Sequence, residues 1–70
     1  MPTTVPLEYV TQFDPAKYSF PTAVVTTKIQ STVAVMAAML ARSNKPGSRA
    51  TSSFTDLKSN VKYTILLTLP

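Results

Sequence analysis

The segment Val61-Lys62-Tyr63-Thr64-Ile65-Leu66-Leu67-Thr68-Leu69 constrains this chain more than any other. Its side chains alternate. Val61, Tyr63, Ile65, Leu67 and Leu69 fall on one side; Lys62, Thr64, Leu66 and Thr68 fall on the other. A period of two is the pattern of a strand with one face on a core and the other toward water. Upstream, Arg49-Ala50-Thr51-Ser52-Ser53-Phe54-Thr55 is polar and compatible with a strand, and Asp56-Leu57-Lys58-Ser59-Asn60 reads as the turn between them. The expectation is a C-terminal antiparallel β-hairpin at about 49–55 and 61–69.

A greasy strand face needs a cover. Between residues 23 and 42, Val25, Ile29, Val33, Met36 and Leu40 recur at helical spacing, and Ala34, Ala37, Ala38 and Ala41 add helix propensity. Thr26 or Thr27 is placed to cap such a helix. The first half is β-branched, however, and Thr27, Ile29, Ser31, Val33 and Val35 also alternate. A helix at about 25–42 is the preferred reading, with a strand as its alternative. Arg42-Ser43-Asn44-Lys45-Pro46-Gly47-Ser48 is a loop, and Pro-Gly suits the centre of a type II turn.

Four of the six prolines, Pro2, Pro6, Pro15 and Pro21, lie in residues 1–22. They forbid a long helix and confine any strand to short edge pieces. Leu7 to Phe13 is rich in β-formers, and Asp14-Pro15 marks a turn. The chain therefore divides into an extended N-terminal arm, 1–22, carrying one short strand, and a single small α+β domain, 23–70.

Seventy residues allow one domain, which buries only about 60% of its unfolded surface and is marginal alone. Without Cys or His the chain has no disulfide, thiolate or imidazole, and Glu8, Asp14 and Asp56 are scattered. No metal site, cofactor or catalytic set can be assembled, and an enzyme acting on a small-molecule substrate is not expected. The lone glycine excludes Gly-rich phosphate loops. The start has no basic n-region, so no signal peptide is read. The most apolar run, residues 31–41, is shorter than the roughly 20 residues that span a bilayer, so transmembrane anchoring is not expected. The remaining staple is self-association. A net charge of +4, with only 14% charged residues, fits a polyanionic partner or a surface covered by neighbours.

Thr51, Ser53 and Thr55 alternate on one face of the first hairpin strand, and Lys62, Thr64 and Thr68 on one face of the second. If continuous, these faces present hydroxyls and ammoniums together, able to bond phosphates and base edges, although Thr, Ser and Lys also suit an ordinary solvent face. Arg42, Lys45 and Arg49 add cations from the loop. The candidate nucleic-acid-binding residues are thus Arg42, Lys45, Arg49, Thr51, Ser53, Lys62 and Thr64.

Asn60-Val61-Lys62-Tyr63-Thr64-Ile65, closing with Pro70, resembles a strand of the single-stranded RNA bacteriophage coat proteins, whose polar side faces RNA in the shell. Thr11-Gln12-Phe13, Val33-Ala34 and Arg42-Ser43 are similar to further islands of that family, with small gaps between them. The resemblance covers most of this chain but only the N-terminal half of the family's domain. It implies adenine pockets at Val33, Thr51, Ser53 and Thr64, with Leu66 standing where the family has a lysine. The Ala/Met run at 34–39 departs from the polar strand of the family. The expected function is a non-enzymatic, self-assembling structural subunit, a virion or capsid component with a weakly basic sheet facing RNA, located in the virion or cytoplasm. The alternatives are a small nucleic-acid-binding regulatory module, with Lys58 joining the phosphate footprint, and a membrane-interface accessory subunit docking through residues 31–41.

Overall fold

A computed structural model describes residues 3–10 and 17–70, with the backbone alone at Thr3, Tyr9 and Val10. Its elements are β1 (Thr3–Val10), α1 (Ala23–Ser43), β2 (Arg49–Asp56) and β3 (Val61–Thr68). The sheet order is β1-β3-β2, with β1 parallel and β2 antiparallel to the central β3. One helix and a three-stranded mixed sheet make an α+β fold. The Thr11-Gln12-Phe13 island and the Asp14-Pro15 turn lie outside the described residues.

Residues 23–43 are helical, which decides between helix and strand. The stripe Val25, Ile29, Val33, Met36 and Leu40 is buried and packs with Leu7, Tyr63, Ile65 and Leu67 into one core. Burial of a continuous apolar face outweighs the weak β preference of the first half. The threonines there are accommodated by bonding backward: Thr26 Oγ1 donates to the Thr22 carbonyl at 3.1 Å and Thr32 Oγ1 to that of Lys28 at 2.8 Å. The cap is Thr22, not Thr26 or Thr27. Thr22 follows Pro21 in extended conformation, and its hydroxyl accepts from the Val25 N–H at 3.2 Å. At the other end Asn44 takes the left-handed conformation and its N–H donates to the Leu40 carbonyl.

The best 18-residue window of α1 has a mean hydropathy of 1.4, so by length and composition the helix is able to cross a membrane, more than its eleven-residue apolar run implied. In this fold the stripe from Val25 to Leu40 is covered by the sheet, while most of the helix surface stays exposed: 28% of that window is buried.

The two turns follow their residues. The Ser48 N–H donates to the Lys45 carbonyl, and Gly47 has φ +83, as the third position of a type II turn requires. At the hairpin, the Asn60 N–H donates to the Asp56 carbonyl at 2.7 Å, with Asn60 in the left-handed region. The Ser59 hydroxyl bonds Asp56 Oδ2 at 2.6 Å.

β1 begins at Thr3, earlier than the run from Leu7 to Phe13 implied, and contains Pro6. An edge strand is where a missing N–H leaves no ladder bond broken. β1 lies beside β3 along its length and gives Leu7 to the core, so the N-terminal segment is part of the sheet. The helix packs over β2 and β3. Tyr18 and Phe20 pack against the same core; the Tyr18 hydroxyl donates to the Glu8 carbonyl, and the Phe20 ring meets Tyr63 edge-on at 6.1 Å. Phe54 stacks on Tyr63 at 5.2 Å.

Candidate nucleic-acid interface

Among the described residues the one helix lies on one side of the sheet, and the other face is open. Register fixes what that face displays. Arg49 pairs with Thr68, Thr51 with Leu66, Ser53 with Thr64 and Thr55 with Lys62. On the far side of β3, Thr4 pairs with Lys62, Pro6 with Thr64 and Glu8 with Leu66. Directly paired residues share a face, so all of these side chains stand together, opposite the core-facing Leu7, Tyr63, Ile65 and Leu67.

Of the seven candidate residues, the fold brings five onto this surface: Arg49, Thr51, Ser53, Lys62 and Thr64. Ser53 and Thr64 are direct partners with hydroxyl oxygens 3.4 Å apart. Arg42 and Lys45 are elsewhere. Arg42 sits in the last turn of α1 and Lys45 in the following loop, both exposed, in the helix layer and not on the open face. Val33, where the resemblance implies an adenine pocket, is buried in the core on α1.

Sequence reasoning missed the contribution of β1. Thr4 and Glu8 belong to the open face, and the alternation Thr4, Val5, Pro6, Leu7, Glu8 carried that signal beneath the proline.

The surface is rich in hydroxyls and poor in charge. Thr4, Thr51, Ser53, Thr55, Thr64 and Thr68 supply six hydroxyls, while Arg49 and Lys62 stand against one carboxylate, Glu8. The two cations lie at opposite ends of the face. Six residues of strand separate Arg49 from Thr55, the partner of Lys62, or about 20 Å. Leu66 occupies the middle, half-buried between Thr51 and Glu8. Hydroxyls donate and accept, so this pattern can bond phosphate oxygens, sugars or base edges without fixing one sequence.

Among the described residues no polar or charged side chain is buried, and no group of three His, Cys, Asp or Glu gathers as a metal site. Among the described residues, the Tyr63 phenol is pushed above its ordinary value by desolvation, followed by the negative charge of Asp56. Comparison with protein-family models, with curated proteins and with solved structures finds no match for this chain.

Proposed function

We propose that the protein is a non-enzymatic, self-assembling structural subunit whose open sheet face contacts nucleic acid. The observation that carries this reading is the one-sided sheet, which collects Arg49, Thr51, Ser53, Lys62 and Thr64 on a single uncovered surface. The coat-like strand at 60–65 is what favours a virion setting, while the helix at 23–43 and the buried Val33 depart from that family's pattern.

The composition of the face dictates weak selectivity and a shallow salt response. Each phosphate contact adds roughly 0.7 to 0.9 to the slope of log affinity against log salt, so two cations contribute at most about 1.8. The test is a filter-binding titration at two salt concentrations with hairpin and random RNA. The double variant Arg49→Ala, Lys62→Ala is expected to lose most of the slope, and Glu8→Gln to strengthen binding. Leu66→Lys, which restores a cation at the centre, is expected to steepen the slope by about one contact. Absence of binding to either RNA at low salt refutes the nucleic-acid role.

A further inference from the structure

Among the described residues, the side of the molecule where α1 packs over β2 carries two unpaired features. The first is the free edge of β2. The Leu69 N–H donates to the Ser48 carbonyl directly opposite it, at 2.8 Å, which sets the phase of the ladder. Hydrogen-bonded pairs alternate in an antiparallel ladder, so Ala50, Ser52, Phe54 and Asp56 turn their backbone groups to β3. Arg49, Thr51, Ser53 and Thr55 turn theirs outward. None of these four is proline, whereas the opposite edge, β1, is blunted by Pro6 and Glu8. The second feature is an apolar stripe on α1. Val24, Val35 and Met39 are 76, 62 and 60% exposed, and with Lys28 and Ser31 they follow one helical row. Lys28, Ser31, Val35 and Met39 line an open groove of about 540 Å³ against Arg49–Ser52.

We infer that this side binds a second copy of the chain, β2 pairing antiparallel with the partner's β2 about a two-fold axis at Ser52. Three lines of geometry carry the inference. Register is the first: centring on Ser52 sets Thr51 opposite the partner's Ser53 and Arg49 opposite the partner's Thr55, which satisfies the outward backbone groups of all four residues at once. The helices supply the second. Strands lie about 4.8 Å apart, and α1 sits over β2 and β3, so in a continuous six-stranded sheet the two helices lie about 10 Å apart, the spacing of directly packed helices. Self-complementarity is the third. An antiparallel helix pair centred near Ser31 and Thr32 sets Val24 against the partner's Met39 and Lys28 against the partner's Val35, with small residues at the crossing. Lys28 reaches back over its own Phe54 ring, 5.3 Å from the centroid, which gives its ammonium a contact within its own chain.

Area is sufficient. The molecule measures 37 × 24 × 17 Å, so a contact covering the whole of one long side amounts to about 600 Å² per chain, or about 1,200 Å² in total, close to the roughly 1,000 Å² expected of a specific interface. The inference deepens the assembly half of the proposed function and rests on it for context. Its consequence is that the two open faces join into one, with Arg49 and Thr55 meeting across the axis.

The experiment is sedimentation velocity on the full chain beside Thr51→Pro and Val35→Glu, with circular dichroism as the folding control. Thr51→Pro removes an outward N–H and leaves the β2–β3 ladder intact; Val35→Glu charges the exposed stripe. Wild type is expected at two chains, about 15 kDa, or an even multiple, and both variants as folded monomers. In this cysteine-free chain, Ser52→Cys is expected to cross-link to dimer in a glutathione redox buffer, and Ser59→Cys in the hairpin turn to stay monomeric. A monomeric wild type, dimeric variants, or cross-linking at Ser59 but not at Ser52 overturns the inference. So does a monomer that floats with phosphatidylglycerol vesicles and ceases to float as Val35→Glu, which would give the stripe to a membrane. RNA binding is read in parallel. A dimer that binds no RNA refutes the nucleic-acid role and leaves the interface standing, whereas a monomer that binds RNA does the reverse.

Discussion

Adjacent residues on β3 offer a sharp test of which face is which. Ile65 is fully enclosed, on the central strand, between Leu7 and Ser52 in the ladder and under the helix stripe. Neighbours on three sides belong to regular elements, so the space left by Ile65→Ala cannot collapse. The cost belongs in the upper part of the usual range for such truncations, about 3–5 kcal/mol. A chain of 70 residues has a total stability of about 4–10 kcal/mol, so the variant retains little or none. Leu66, one residue on, stands half-buried on the open face, and Leu66→Ala is expected to cost about 1 kcal/mol or less. Urea titration followed by circular dichroism, at one fixed protein concentration, measures both. With a slope near 1 kcal/mol per molar for a chain this small, the Ile65 variant shifts the midpoint by about 3 M or shows no transition, and the Leu66 variant by about 1 M at most. Equal losses at the two positions, or a larger loss at Leu66, would mean that the face assigned as open is covered and that the strand is inverted.

Other expectations follow from single groups. Thr22→Ala removes the hydroxyl that accepts from the Val25 N–H and should cost about 1 kcal/mol, while Thr27→Ala, exposed and outside the cap, should be nearly neutral in the same titration. Gly47→Ala meets no atom within 4 Å but must hold φ +83, so its cost is conformational, about 1–2 kcal/mol, and a neutral result would contradict the type II turn. The Tyr63 phenol is raised in the folded state by desolvation first and by Asp56 second. Its contribution to stability is therefore complete below the ordinary tyrosine range near pH 10 and is lost as pH rises through the higher folded value. Denaturation midpoints measured across alkaline pH should fall less steeply in Tyr63→Phe than in wild type.

Much of this fold is legible in the sequence because its signals are periodic. The five stripe residues of α1 are the five that are buried there, and the alternation at 61–69 assigns the two faces of β3 correctly. Local chemistry was harder to read at the helix start. Thr26 and Thr27 look like caps, but the helix already begins at Ala23, and Thr22, in extended conformation, is the position whose hydroxyl reaches the Val25 N–H. The short N-terminal strand was legible, but prolines obscured its start: the alternation at Thr4–Glu8 is allowed because β3, and not β1, occupies the centre of the sheet. Strand order is a tertiary fact, and no local pattern encodes it. For the same reason the sequence could group Arg42 and Lys45 with Arg49 by proximity along the chain, although the helix layer holds the first two and the open face the third.

The make-up of the open face bears on its purpose. A sheet face that only meets water is well served by long charged side chains, which solubilise it and guard it against association. Here six of the displayed groups are hydroxyls and only three are charged. Threonine and serine are short, so a partner that covers them immobilises little. Each buried lysine or arginine forfeits as much as about 2 kcal/mol of rotamer freedom, and hydroxyls a good deal less. Threonine also suits the extended backbone of a pleated surface. A low-entropy, donor-and-acceptor surface gives up some of the solubility that charge would provide to a marginal 70-residue chain. That balance supports a face that is covered in use, by a polymer whose own polar groups match hydroxyls at many positions and whose charge is met by Arg49 and Lys62 at the two ends.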